Sequence, residues 1–136
     1  MIPRPSHDPN IRLLAKVLDL RAQNQQVIAA NIANAETPGY APATFHFDKA
    51  LQAATGTSEA LPLAAPRSGH IDTGGGGSAE TFVTRTPDAT GIGDRNGVSV
   101  DQEMLKLSEN EIMYETAAQL LRKKLGMIKY VVSNGQ

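Results

Sequence analysis

The chain has 136 residues, no cysteine and no tryptophan, and its 13 Lys and Arg nearly balance 14 Asp and Glu. This length allows one small domain. A near-neutral charge argues against nucleic-acid binding, which needs a basic face. The lack of cysteine excludes disulfides and thiol catalysis. We see neither a cleavable signal peptide nor an apolar run that would span a membrane, so we expect a cytoplasmic protein or one exported without signal cleavage.

Glycine and proline divide the chain into three parts. Residues 10–35 and 100–125 contain neither, whereas residues 41–99 hold nine of the 12 glycines and four of the eight prolines. We therefore predict a mainly α-helical protein of one structural domain. Its parts are an N-terminal helix and turn (1–40), an irregular insert with room for a short β-hairpin (41–99) and a C-terminal helix (100–136).

The N-terminal helix has clear start signals. Asp8 is a candidate N-cap, and Pro9 suits the first turn because its missing N–H needs no partner there. Apolar residues then recur at helical spacing. Residues 22–35 carry no charge on any face, whereas a solvated helix normally has a charged side. This half of the helix is therefore predicted to be surrounded by other protein.

The C-terminal helix follows a heptad pattern. We predict that it begins at residue 100 and continues to Leu125, with Gly126 loosening its end. The two long helices are expected to pair as an antiparallel coiled-coil hairpin, and each has a second apolar stripe left for neighbouring chains. The predicted subunit-interface residues are Leu14, Leu18, Ile28, Met104, Leu107, Tyr114, Ala118, Leu121, Leu125 and Ile128.

Nothing in the sequence points to catalysis. His7, His46 and His70 lie in three different irregular segments, without metal-ligand spacing. The run Gly74–Gly77 lacks the Gly-Lys-Ser/Thr ending of a phosphate loop and is typical of a flexible loop. We expect no catalytic, cofactor or metal site. A membrane-binding amphipathic hairpin would need a cationic face, which residues 22–35 do not supply.

A distinctive segment ends the first helix. Pro38 cannot continue a helix, and Pro38 followed by Gly39 suits the two central positions of a type II turn, where glycine accepts a positive φ. Asn31 and Asn34 share one helix face. Their side chains are expected to bond the last free helix carbonyls or a neighbouring chain.

The whole string N-I-A-N-x-x-T-P-G-Y resembles the signature of the bacterial flagellar rod, hook and hook-associated proteins. Glu36 stands where that family usually has Asp or Asn. The short chain and the C-terminal helix are most similar to the basal-body rod proteins, in particular those of the proximal rod. The residues that carry the motif are Asn31, Ile32, Ala33, Asn34, Thr37, Pro38, Gly39 and Tyr40.

The resemblance implies a structural subunit, not an enzyme, that polymerises helically in the proximal rod and transmits torque from the membrane ring to the distal rod. The implied partners are further copies of the chain, the rod proteins FliE, FlgC and FlgF, the ring protein FliF and the flagellar type III export apparatus. Nucleic acid and small-molecule substrates are not expected. The implied location is the rod that crosses the periplasm. The alternatives are another short rod subunit, such as FlgC, or a non-flagellar helical-hairpin binding protein.

Overall fold

The computed structural model describes residues 8–56, 79–87 and 97–134. Within them the chain is mainly helical. The expectations for His7, His70 and Gly74–Gly77 lie outside the described residues. In chain order the elements are α1 (Pro9–Ala33), β1 (Ala43–Phe45), α2 (Phe47–Thr55), a 3-10 turn (Ala79–Phe82), β2 (Val83–Arg85) and α3 (Val100–Asn134).

The start of α1 confirms the predicted cap. The Asp8 carboxylate accepts a hydrogen bond from the Asn10 backbone N–H at 2.8 Å, and Pro9 occupies the first turn. One of the unpaired N–H groups at the helix start is thereby satisfied. The cap depends only on residues that are neighbours in the chain, which is why the sequence alone predicts it.

The end of α3 differs from the prediction. The helix does not loosen at Gly126 but continues to Asn134. A single glycine in a helix interior costs only about 1 kcal/mol relative to alanine. A helix that is already formed on both sides of Gly126 tolerates that penalty, so the loosening expected at this residue is wrong.

The two long helices pack together and run in opposite directions. At one end, the Lys124 ammonium lies 3.2 Å from the Asp8 carboxylate. In the middle, the Asn24 amide donates to Asn110 at 3.0 Å. At the other end, Asn31 of α1 donates to Glu103 of α3 at 3.0 Å. No helix of the described ranges is long and apolar enough to cross a membrane.

The insert contains more regular structure than we expected. The two strands β1 and β2 are antiparallel, with Thr44 opposite Thr84, and they are separated by about 40 residues of the chain. The short β-hairpin for which the insert has room stays a prediction, since much of the insert lies outside the described residues. Between them lies α2, which the sequence analysis did not predict. A small core fixes these elements against α1; it consists of Leu20, Phe45 and Ala50, with Val27, Phe47, Leu51, Ala54, Phe82 and Val83 packed around them.

Candidate assembly site: two buried asparagines and an exposed apolar helix face

The turn after α1 has the predicted geometry. Gly39 has φ +73°, and the Tyr40 N–H donates to the Thr37 carbonyl at 3.2 Å, as in a type II turn with Pro38 at its second position. The Asn34 amide donates to the Ala30 carbonyl at 2.8 Å. That carbonyl already accepts the backbone N–H of Asn34 at 3.1 Å, so the side chain adds a second bond near the helix end and does not fill a free carbonyl as we expected.

Asn31 has a different partner. Its side chain is 1% exposed, and its carboxamide makes two hydrogen bonds with the backbone of Ala43, donating to the carbonyl at 2.7 Å and accepting from the N–H at 2.9 Å. A neighbouring β-strand would bond the edge of β1 through the same pair of groups. The Asn31 side chain thus takes the place of a neighbouring strand at this one residue and holds β1 against α1.

The remaining hydrogen-bonding positions of the Asn31 carboxamide are also occupied. The Tyr40 hydroxyl donates to its oxygen at 3.1 Å, and its nitrogen donates a second bond to Glu103 at 3.0 Å. A primary amide has two donors and two acceptor positions, and all four are satisfied here. One side chain therefore joins α1, the turn, β1 and α3, and this explains why an asparagine and a tyrosine belong to the same motif.

Glu103 completes this cluster on α3. It is 5% exposed, and its second oxygen accepts a bond from the Lys106 ammonium at 2.6 Å. A buried carboxylate is tolerated only when it is paired and hydrogen-bonded, and both conditions hold. The sequence analysis missed Glu103 because an acidic residue in the first turn of a helix is expected to be solvated.

A second buried asparagine joins the helices at mid-length. Asn110 is 2% exposed; it donates to the Arg21 carbonyl at 2.9 Å and accepts from Asn24 at 3.0 Å. The Arg21 guanidinium lies 3.8 Å from the centre of the Phe47 ring. Burial lowers the pKa of Arg21 from its usual value, while Glu109 and Asp48 oppose the shift. Two polar contacts thus fix the register of α1 on α3.

The face that α3 turns to α1 is more polar than the heptad pattern indicates. The track packed on α1 is Glu103, Asn110, Ala117 and Lys124. The apolar track containing Met104 and Leu125 lies one residue further round the helix and is about half exposed, at 51% and 43%. Much of the apolar surface of α3 is therefore not used within the chain.

The predicted interface residues divide into three groups by burial. Ile28 is buried within the chain. Leu14, Leu18, Leu107, Ala118, Leu121 and Ile128 are half-buried, and Met104, Tyr114 and Leu125 are exposed. Further large apolar residues on α3 are exposed as well: Val100, Leu105, Ile112, Met113, Leu120, Met127, Tyr130, Val131 and Val132. An apolar surface of this extent is typical of an association interface.

The described ranges contain no group of three His, Cys, Asp or Glu residues that could hold a metal ion. The Nε2 atom of His46 lies 2.9 Å from the Thr84 hydroxyl and links β1 to β2. The features that stand out are therefore the two buried asparagines and the exposed face of α3.

Comparison with known proteins identifies the class of protein to which this chain is similar. The family described as "Flagella basal body rod protein" matches residues 17–40, which include most of α1 and the turn. The flagellar basal body rod protein FlgB of Salmonella typhimurium is 32% identical over 133 residues, covering 94% of this chain and 96% of the relative. FlgB of Escherichia coli is 31% identical over 137 residues with the same coverage. FlgB of Bacillus subtilis is 28% identical over 126 residues, covering 93% of this chain and 95% of the relative. The chain belongs to the FlgB family of flagellar basal body rod proteins.

Proposed function

We propose that this chain is a structural subunit of the proximal rod that polymerises helically and transmits torque from the membrane ring to the distal rod. The observation that carries the proposal is the division of α3 into a polar face bonded to α1 and an apolar face left exposed. Such a helix completes its apolar packing only when another protein covers it. This is what a subunit needs if its packed core is shared with its neighbours.

The buried asparagines suit a part that bears mechanical load. Torque applied to a rod shears its subunits, and a pair of helices held by apolar contacts alone can slide in register. Asn31 and Asn110 oppose such sliding, because a shift of one residue would leave their hydrogen-bonding groups buried without partners. We infer that the antiparallel pair of α1 and α3 works as a rigid strut.

The track of Met104, Leu125 and Val132 is our candidate contact between subunits. These side chains are 51%, 43% and 55% exposed and lie on one flank of α3, beside the face that meets α1. A helical tube needs contacts that join two different faces, since only these continue without closing. The neighbours we propose are further copies of this chain together with FliE, FlgC, FlgF and FliF, reached after export through the flagellar type III apparatus to the rod.

The test is complementation of a strain lacking the gene with Leu125→Glu. We expect the variant to be produced and folded but absent from purified basal bodies, and the cells not to swim, because a charge would be buried unpaired at the contact. The matched control is Gln102→Glu, which adds the same charge at an exposed position of α3 outside the track. Normal incorporation of Leu125→Glu would contradict this assignment of the contact.

A further inference from the structure

The outer edge of β2 presents backbone groups that do not face β1. The Thr86 N–H donates to the Pro42 carbonyl at 3.1 Å, and the preceding residue on β2, Arg85, lies opposite Ala43. Bonded and non-bonded pairs alternate along an antiparallel ladder. Arg85 and Val83 therefore turn their N–H and C=O groups away from β1, toward the position of a further strand.

The two outer edges of this sheet differ in whether they are occupied. On β1, the N–H and C=O of Ala43 are both bonded by Asn31. On β2, the N–H and C=O of Arg85 have no hydrogen-bond partner among the described residues. An unpaired strand edge is a template for pairing with another chain. The sheet is thus closed on the side of Asn31 and open on the side of β2.

The side chain of Arg85 leaves this edge accessible. Its guanidinium lies 3.4 Å from the Ala41 carbonyl and 5.9 Å from the centre of the Tyr40 ring, so it is drawn back along its own chain. A charged side chain protects a strand edge only when it occupies the place of the next strand. Among the described residues no carboxylate lies within 4 Å of this guanidinium, so its charge is available to a partner.

A groove of about 420 Å³ lies between β2 and α1, and we call it the edge groove. Its lining is apolar on the sheet and carries two amides on α1, and among the described residues that line it Arg85 alone is charged. Residues that alternate along a strand share one face of the sheet, so a strand added to β2 would turn every second side chain into this groove. The lining residues used below are Gln23, Gln26, Val27, Phe45, Val83 and Arg85.

We propose that the outer edge of β2 binds an extended segment of a partner protein, which joins the sheet as a third, antiparallel strand. Antiparallel pairing gives the more stable ladder, and it places one partner residue opposite Arg85 and the residue two positions later opposite Val83. Opposite charges and apolar pairs across a ladder both stabilise it. The segment therefore carries Asp or Glu, followed two positions later by Val, Ile, Leu or Phe. This contact goes beyond the proposed function and is separate from the apolar track of α3.

The first test identifies what occupies the edge groove in living cells. Gln26 is exposed and lines the groove, and it is replaced in the full-length protein by the photoreactive amino acid p-benzoyl-phenylalanine, in a strain without the wild-type gene. The same replacement of Ala22, an exposed residue of α1 outside the lining, is the matched control. We expect light to join position 26, but not position 22, to a partner peptide with the acidic and apolar residues at the stated spacing.

Three results of this test would overturn the proposal. They are no captured peptide at position 26, a cross-link from position 26 to another part of the same chain, and a captured peptide that lacks the stated pattern. Capture of the same peptide from positions 22 and 26 would overturn it as well, because the segment would then not lie specifically in the edge groove.

The second test separates backbone pairing from charge. Arg85→Pro and Arg85→Ala both remove the guanidinium, but only proline also removes the N–H that faces outward. Proline is tolerated in an edge strand at such a position, so the pairing of β2 with β1 is retained. We expect Arg85→Pro to reduce capture at position 26 about tenfold relative to Arg85→Ala, because a partner carbonyl loses its donor. Equal capture by the two variants would refute strand addition.

A charge exchange tests the residue opposite Arg85. We expect Arg85→Glu to reduce capture below that of Arg85→Ala, and exchange of the partner's acidic residue for lysine to restore it. A failure of this rescue would contradict the pairing, and the variant keeps the outward N–H, so this test does not depend on Arg85→Pro. Incorporation into basal bodies is measured separately, so this proposal and the proposed function can fail independently.

Discussion

Replacing Asn31 with leucine tests the structural role of the motif most sharply. Leucine has the same number and branching of side-chain heavy atoms as asparagine but is larger, so the change removes hydrogen bonds without opening a cavity, and its added bulk increases the cost. The N–H and carbonyl of Ala43 would then face a methyl group in place of the carboxamide. Ala43 is 6% exposed, so water has little access to either group.

The magnitude follows from these two backbone groups. Each buried donor or acceptor left without a partner costs about 1–3 kcal/mol, so their loss destabilises the fold by about 2–6 kcal/mol. The buried Glu103 carboxylate also loses the bond to its second oxygen, which adds to this cost, whereas the half-buried Tyr40 hydroxyl can turn to water. A whole small domain is stable by only about 5–15 kcal/mol. The substitution should therefore remove a large part of the stability.

The assay is urea unfolding followed by far-UV circular dichroism, with the midpoint and slope fitted for each variant. The matched control is Asn34→Leu, the same change three residues further along, at a partly exposed site where the side chain donates to the Ala30 carbonyl and accepts from the Thr37 hydroxyl, and where water can replace both partners. We expect Asn34→Leu to lose less than about 1 kcal/mol. If Asn31→Leu is no less stable than Asn34→Leu, the two bonds to Ala43 do not hold β1 to α1.

Four further predictions concern other local features. Asn110→Leu removes the bonds to α1 at mid-length and should cost about 1–3 kcal/mol in the same urea titration; an unchanged midpoint would refute its role. Gly39→Ala should lower stability by about 1–2 kcal/mol, because Gly39 has φ +73°. Gly126→Ala should raise stability by up to about 1 kcal/mol, since an added Cβ meets nothing within 4 Å. Thermal melts in which Gly39→Ala unfolds at a higher temperature than Gly126→Ala would contradict these two predictions. The Asn10 N–H, assisted by Lys124, holds the pKa of Asp8 below its usual value. The stabilisation by Asp8 is therefore complete above the carboxylate's unfolded pKa and is lost as the pH falls through the lowered folded pKa. The stability of Asp8→Asn should consequently change less with pH in the acid range than that of the wild type. Identical dependence of stability on pH in the two proteins would exclude the effect.

The parts of the fold that depend on near neighbours in sequence were predictable. The cap at Asp8 and the turn at Pro38 and Gly39 follow from the properties of those residues. The helix α2 was missed because nine residues give a weak periodic signal, and it is held by packing of Ala50 against α1 and the strands. Its stability comes from tertiary contacts that the sequence does not display.

The candidate site was predictable only in part. The motif drew attention to Asn31, but its partner Ala43 lies in a strand whose position depends on pairing with β2, about 40 residues away in the chain. The heptad pattern located the apolar track of α3 but not which face meets α1. Hydrophobicity favours Met104 and Leu125 for that role, whereas the structure uses Glu103 and Asn110, because buried polar groups with complete hydrogen bonding fix the register.

Quantitative mass spectrometry of flagellar basal bodies purified from the source bacterium tests the proposed function most directly. We expect a few copies of this chain in each particle, and we expect them to remain after the filament and hook have been removed. Absence of the chain from these particles, with all of it recovered in the soluble fraction, would contradict the assignment to the rod. The exposed face of α3 would then have to serve a different partner.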